Sequence, residues 1–165
     1  MSSIVIADSS CLIGLSKIQQ LDILKSLFGR ILIPSAVYHE IVIQGAGRPG
    51  ALEISRADWI ETVSIKDYLA LRALKLTLGA GESEAIVLAS EQAAGFIILD
   101  DWRARRVALE LGLPVVGTVA ILDKAVEKGY LPNLQTSLDA LRRAGFRFSL
   151  KPYSLTAKKT PTING

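Results

Sequence analysis

Apolar and polar positions follow two rhythms along this chain. Short continuous apolar runs at Ile4-Val5-Ile6-Ala7, Ile31-Leu32-Ile33 and Phe96-Ile97-Ile98-Leu99 are separated by longer stretches in which apolar residues recur every three or four positions. Continuous runs of strand length suit strands covered on both faces, and the amphipathic stretches between them supply the covering helices. Weaker runs at 59–63 and at Val115-Val116 complete the set of candidate strands. The pattern predicts an α/β fold of βαβ units on a parallel sheet, with the first and fourth runs central. Helices are predicted over about 9–18, 21–28, 35–43, 66–76, 82–92, 103–111, 118–128 and 134–144. Pro34 suits the first position of a helix, and Gly29, Gly95, Gly112, Gly129 and Gly145 stand where helix ends call for a left-handed residue.

Two stretches break the rhythm. Residues 44–50 hold three glycines and a proline, which predicts a mobile loop bordering a substrate channel. Residues 151–165 are polar, carry Pro152 and Pro161 and show no apolar period, so a loosely held tail is expected after a single domain spanning 1–150.

Composition narrows the class. The chain has 165 residues, half of them apolar, which suffices for one domain with a sizeable core. Its mean hydropathy is +0.35, yet no apolar run approaches the ~20 residues a membrane span needs, and Met1-Ser2-Ser3 lacks the basic start of a signal peptide. A cytoplasmic protein without a membrane segment is expected. The lone Cys11, flanked by Leu12 and Ile13, reads as a buried core thiol. A net charge of +3 and a pI near 9.1 permit a polyanionic partner without requiring one.

The acids carry the chemistry. Asp8 closes the first apolar run, Asp100-Asp101 close the fourth, and Glu40 and Glu84 lie inside apolar helical stretches. Burying a carboxylate is costly unless it is paired, protonated or coordinating a cation, so acids in these places call for a common partner. In open α/β sheets ligands bind beyond the carboxyl ends of the strands, where Asp8 and Asp100-Asp101 are expected to meet. Helix capping competes for both, at Asp8 before residue 9 and at Asp101 before residue 103. Helical spacing puts Glu40 on the face of Ala36, Val37 and Ile43, and Glu84 on the face of Val87 and Leu88. Glu82, in the first turn of its helix, suits the helix dipole instead, so Glu84 is preferred as the ligand. A site made of carboxylates, with one histidine in the chain, suits Mg²⁺ or Mn²⁺ rather than zinc. His39 reads as a surface residue. The chemistry implied is hydrolysis of phosphate esters by metal-activated water.

The motifs Asp8-Ser9-Ser10-Cys11-Leu12-Ile13, Ile33-Pro34-Ser35-Ala36-Val37-Tyr38-His39-Glu40, Gly81-Glu82-Ser83-Glu84-Ala85-Ile86 and Leu99-Asp100-Asp101-Trp102-Arg103-Ala104-Arg105-Arg106, in that order, resemble the PIN domain superfamily. The resemblance extends from about residue 4 to 145 and includes Val116-Gly117-Thr118. It is closest to PIN-like proteins grouped with VapC-type toxins. It implies a three-layer α/β/α sandwich with a central parallel sheet. It also implies a Mg²⁺- or Mn²⁺-dependent endoribonuclease, the toxin of a toxin-antitoxin pair, with a homodimer and a small antitoxin as partners. By motif, Asp8, Glu40 and Glu84 match the first three acids, Asp101 or Asp100 the fourth, and Ser9 the hydroxyl after the first acid. Ser10 stands where asparagine is common, and the third acid is Glu rather than Asp. The competing reading is a PIN-like module that binds RNA or protein without cutting.

RNA contacts are expected from Arg103, Arg105 and Arg106, which follow the fourth acid directly, and from a second basic cluster at Arg142, Arg143, Arg147, Lys151, Lys158 and Lys159. Trp102, beside the acids, is expected to be partly buried packing rather than a stacking surface.

Overall fold

A computed structural model describes residues 3–148, so the expected tail at 151–165, with Lys151, Lys158 and Lys159, lies outside the described residues. Each apolar run becomes a strand: β1 Val5–Ala7, β2 Ile31–Pro34, β3 Ile60–Val63, β4 Phe96–Ile98 and β5 Val115–Val116. They form one parallel sheet in the order β3-β2-β1-β4-β5. Both faces are covered. Side chains of Val5, Ala7, Ile31, Ile33, Phe96, Ile98 and Val116 join one buried cluster, whereas Ile6, Leu32, Ile97, Leu99 and Val115 join another. That alternation is the two-residue period of a strand, and it explains why the runs read as continuously apolar. The first cluster is closed by α1 (Ser9–Lys17), α2 (Asp22–Phe28), α8 (Thr118–Glu127) and α9 (Leu134–Arg143). The second is closed by α6 (Ala80–Glu91) and α7 (Trp102–Glu110), with α5 (Tyr68–Leu74) at its margin. The result is a three-layer α/β/α sandwich, as the sequence implies. Among the described residues no helix is long and apolar enough to cross a membrane.

One helix departs from the predicted form. The stretch expected as a single α-helix over 35–43 is α3 (Ser35–Tyr38) continued by a π-helical turn, His39–Gln44. The wider i→i+5 turn rotates the end of the helix, and Ile43, expected beside Glu40 on the apolar face, is 57% exposed, whereas Ile41 is buried. After it, residues 45–50 make a tight turn closed by Arg48 N donating to Gly45 O at 2.9 Å, and α4 (Ala51–Arg56) follows where no helix was expected.

The sheet order places the site. Strands run outward from β1 on both sides, so β1 and β4 flank the point where the connection order reverses, the usual ligand crevice of open α/β sheets. Register pairs Ala7 with Ile98, and Asp8 N donates to Ile98 O at 3.2 Å, so the chain beyond β1 and the chain beyond β4 leave the sheet side by side.

Candidate functional site

Asp8 is the N-cap residue of α1, but its carboxylate makes no cap hydrogen bond, so the capping role foreseen for it is not its side chain's task. It is 3% exposed, and its Oδ1 has no hydrogen-bond partner among the described residues. Burial pushes its pKa from 3.8 up to about 7; the Ser9 amide draws it down, and Glu82, Glu40 and Asp100 add repulsion that raises it further. Glu40 approaches from the π-helical turn. A Cβ on Gly81 would stand 3.0 Å from Glu40 Oε1 and 3.3 Å from Asp8 Oδ1, so both carboxylates close on the bare Cα of Gly81 in the first turn of α6. Glycine at this position makes room for two acids.

The acids of α6 divide. Glu82 is half-buried, and its Oε2 accepts from Gly79 N at 3.3 Å, which fastens it to its own helix start. Desolvation first, then Asp101 and Glu40, raise its pKa against the pull of the Gly79 amide. Glu84 turns toward another element, where its Oε2 accepts from Ala36 N at 2.8 Å and secures the first turn of α3. Glu82 lines the cleft with Asp100 and Asp101, whereas Glu84, the acid preferred from sequence, is placed against the start of α3.

Beyond β4 the paired acids separate as well. Asp100 accepts from Thr118 N at 2.8 Å, Thr118 Oγ1 at 2.6 Å and Ser10 Oγ at 3.1 Å, which ties together the starts of α8 and α1. Asp101 caps α7 through Ala104 N at 3.0 Å and remains exposed. Thr118 is fully buried, and it is the hydroxyl whose structural weight sequence reading missed. Thr118→Val leaves Asp100 short of one charge-assisted hydrogen bond, and a loss of about 1.5–3 kcal/mol is expected. The check is a lower urea midpoint at unchanged slope. Below these acids Cys11 is fully buried, and burial, with Asp100 beside it, pushes its thiol far above the range of a reactive cysteine.

The arginines behind the fourth acid differ from one another. Arg105 Nη1 donates to Leu99 O at 2.8 Å, folding back on the sheet rather than reaching outward, and Arg106 pairs with Glu110 at 3.3 Å. Arg103 is exposed. In the second cluster Arg142 lies 5.0 Å from the Phe148 ring centroid and pairs with Asp139 at 3.7 Å. Arg147 lines the acidic cleft, as does Lys17, which sequence reading did not single out. The signal for Lys17 was available, because Ser10, Ile13, Gly14 and Lys17 form an i, i+3, i+4, i+7 stripe. His39 is exposed, as expected, and so is Trp102, at 71%, contrary to the packing role expected for it.

Among the described residues no three acids converge tightly enough to hold an ion by themselves. Mg²⁺ does not require that, since it keeps several waters and binds through one or two carboxylates. The pair closing on Gly81 supplies two, and the unpartnered Oδ1 of a buried acid is the kind of atom a cation would satisfy. The residues fit a hard divalent cation.

No curated protein matches the chain. Among solved structures, a PilT N-terminus domain protein from the hyperthermophilic archaeon Sulfolobus solfataricus P2 is similar at a TM-score of 0.51 and 20% identity. The match covers 75% of this chain and 95% of that one, a likeness of fold. The family model DUF3368, described as a PIN domain, matches residues 4–160, and the chain belongs to that PIN domain family.

Proposed function

We propose that the chain is a Mg²⁺- or Mn²⁺-dependent endoribonuclease, with Asp8 and Glu40 as the principal metal ligands and Glu82, Asp100 and Asp101 completing the acidic site. The observation that carries this reading is the buried Asp8 carboxylate, unpartnered at Oδ1 among the described residues and converging with Glu40 on the bare Cα of Gly81. A divalent ion bound there would supply a water acidic enough to attack phosphorus and a charge to offset the phosphate. The protein's own part is positioning. Asp100, fixed by Thr118 and Ser10, orients the acid end of the cleft, and Asp101 stands exposed at its mouth. Glu82, whose pKa is raised by partial burial and then by Asp101, is suited to take a proton from an attacking water. The motif order shared with VapC-type toxins supports a role as the toxin of a pair, with a small antitoxin and a second copy of the chain as partners, working in the cytoplasm.

Cleavage of a mixed RNA panel by the purified chain is expected in Mg²⁺ or Mn²⁺ and absent in EDTA. Cutting that survives EDTA would overturn metal dependence. No cutting in either ion, by folded protein that still binds RNA, would replace the nuclease by the non-catalytic binding module.

A further inference from the structure

The cleft beside the acids continues past them, and its far end has a different chemistry. It encloses about 510 Å³ and is floored by the stripe Ser10, Ile13, Gly14 and Lys17 of α1. At 1.5 Å per residue, Lys17 lies roughly 10 Å from Ser10 along the helix. Ser10 is tied to Asp100, so one end of the floor is acidic. At the other end Lys17 is exposed, its Nζ 3.4 Å from Ala144 O, and Arg147 also lines the cleft. The wall between is aromatic. A Cβ at Gly14 would stand 2.7 Å from Phe146 Cδ2, so the bare helix at Gly14 is what admits the Phe146 ring. Trp102, the first residue of α7, completes the lining with its side chain open to water.

We propose that this extension is a nucleotide subsite for single-stranded RNA, in which the Trp102 indole stacks on a base and Lys17, with Arg147, holds a phosphate next to the one at the acids. The proposal deepens the nuclease reading and rests on it. Charge divides the cleft: a phosphate at the acid end needs a cation between it and the carboxylates, whereas a phosphate at the Lys17 end meets an ammonium group directly. Stacking on a side chain requires a base free of its own neighbours, which a duplex does not offer. The volume is that of a small-ligand pocket, adequate for a nucleotide and not for a helix of paired strands.

The test is anisotropy of a fluorescein-labelled single-stranded oligoribonucleotide with Asp8→Asn protein, which removes cleavage and one repelling carboxylate, in Mg²⁺ and again in EDTA. Adding Trp102→Ala is expected to raise the Kd about tenfold, with most of the loss recovered by Trp102→Phe. Adding Lys17→Ala is expected to lower the slope of log K against log salt by about 0.7. The duplex of the same sequence is expected to bind far more weakly. The subsite is overturned if neither substitution alters binding, if the duplex binds as tightly as the single strand, or if no RNA binds in either condition. Thermal melting of each variant guards against misfolding. Should the native chain cut no RNA while these binding differences hold, the subsite stands and the nuclease reading falls; metal-dependent cutting with binding unchanged by the substitutions has the opposite meaning.

Discussion

Replacing Asp8 with asparagine is expected to abolish RNA cleavage and, in metal-free protein at pH 8, to raise the melting temperature. These effects have one cause. The carboxylate is buried with an oxygen that no group among the described residues satisfies, an arrangement that is costly in the absence of a cation and useful in its presence. Removing its charge forfeits several kcal/mol of metal-borne transition-state stabilisation, at least about a hundredfold in rate. The same change relieves the metal-free fold of an ionised group it holds poorly.

The sign of the pH dependence follows from the direction of the shift. Folding raises the Asp8 pKa from 3.8 to about 7, so the folded state holds its proton more tightly than the unfolded chain does. Its stabilising contribution is complete below about pH 4 and is lost as pH rises to 7, with an upper bound on the order of 4 kcal/mol. Roughly 2.5 kcal/mol of that is lost between pH 5 and pH 8, which for a chain of this size is about 5–10 °C of melting temperature in EDTA. In Asp8→Asn most of the slope should vanish, leaving a shallower one from Glu82, whose pKa is also raised. Millimolar Mn²⁺ should restore the native protein at pH 8 and do little for the variant. Parallel melting curves for the two proteins across this range, or a variant that cuts RNA normally, would remove Asp8 from the site.

What the sequence disclosed and what it withheld divide along a physical line. Strands buried on both faces must be apolar throughout, so β1, β2 and β4 were legible as runs, and Asp8 and Asp100-Asp101 as the acids at their carboxyl ends. Features set by the distant partner of a side chain were not legible. The direction of Glu84 is decided by Ala36, 48 residues away, and the direction of Arg105 by the carbonyl of Leu99. A 3.6-residue period also fails where the chain leaves it: the π-turn at His39–Gln44 leaves Ile43 exposed while still delivering Glu40 to Gly81. Trp102 misled for a related reason, because an indole after a strand is as apolar in sequence when it faces a cleft as when it faces the core.

The two acids of α6 provide the sharpest separation of site from scaffold. Glu82→Gln is expected to lower cleavage by about a hundredfold or more without loss of stability, because its carboxylate lines the cleft and feels Asp101 and Glu40. Glu84→Gln is expected to leave cleavage within a few-fold and to cost about 1 kcal/mol, since an amide oxygen can still accept from Ala36 N but without the charge that favours the first turn of α3. Single-turnover cleavage and urea unfolding on both variants decide the matter. Loss of cleavage in Glu84→Gln with Glu82→Gln unimpaired would return the third acid to the position read from sequence, and would require Glu84 to release Ala36 when a cation binds. Loss in both would mean that α3, once freed from Glu84, no longer delivers Glu40 to Gly81. That outcome would show as a loss of stability in Glu84→Gln well beyond about 1 kcal/mol.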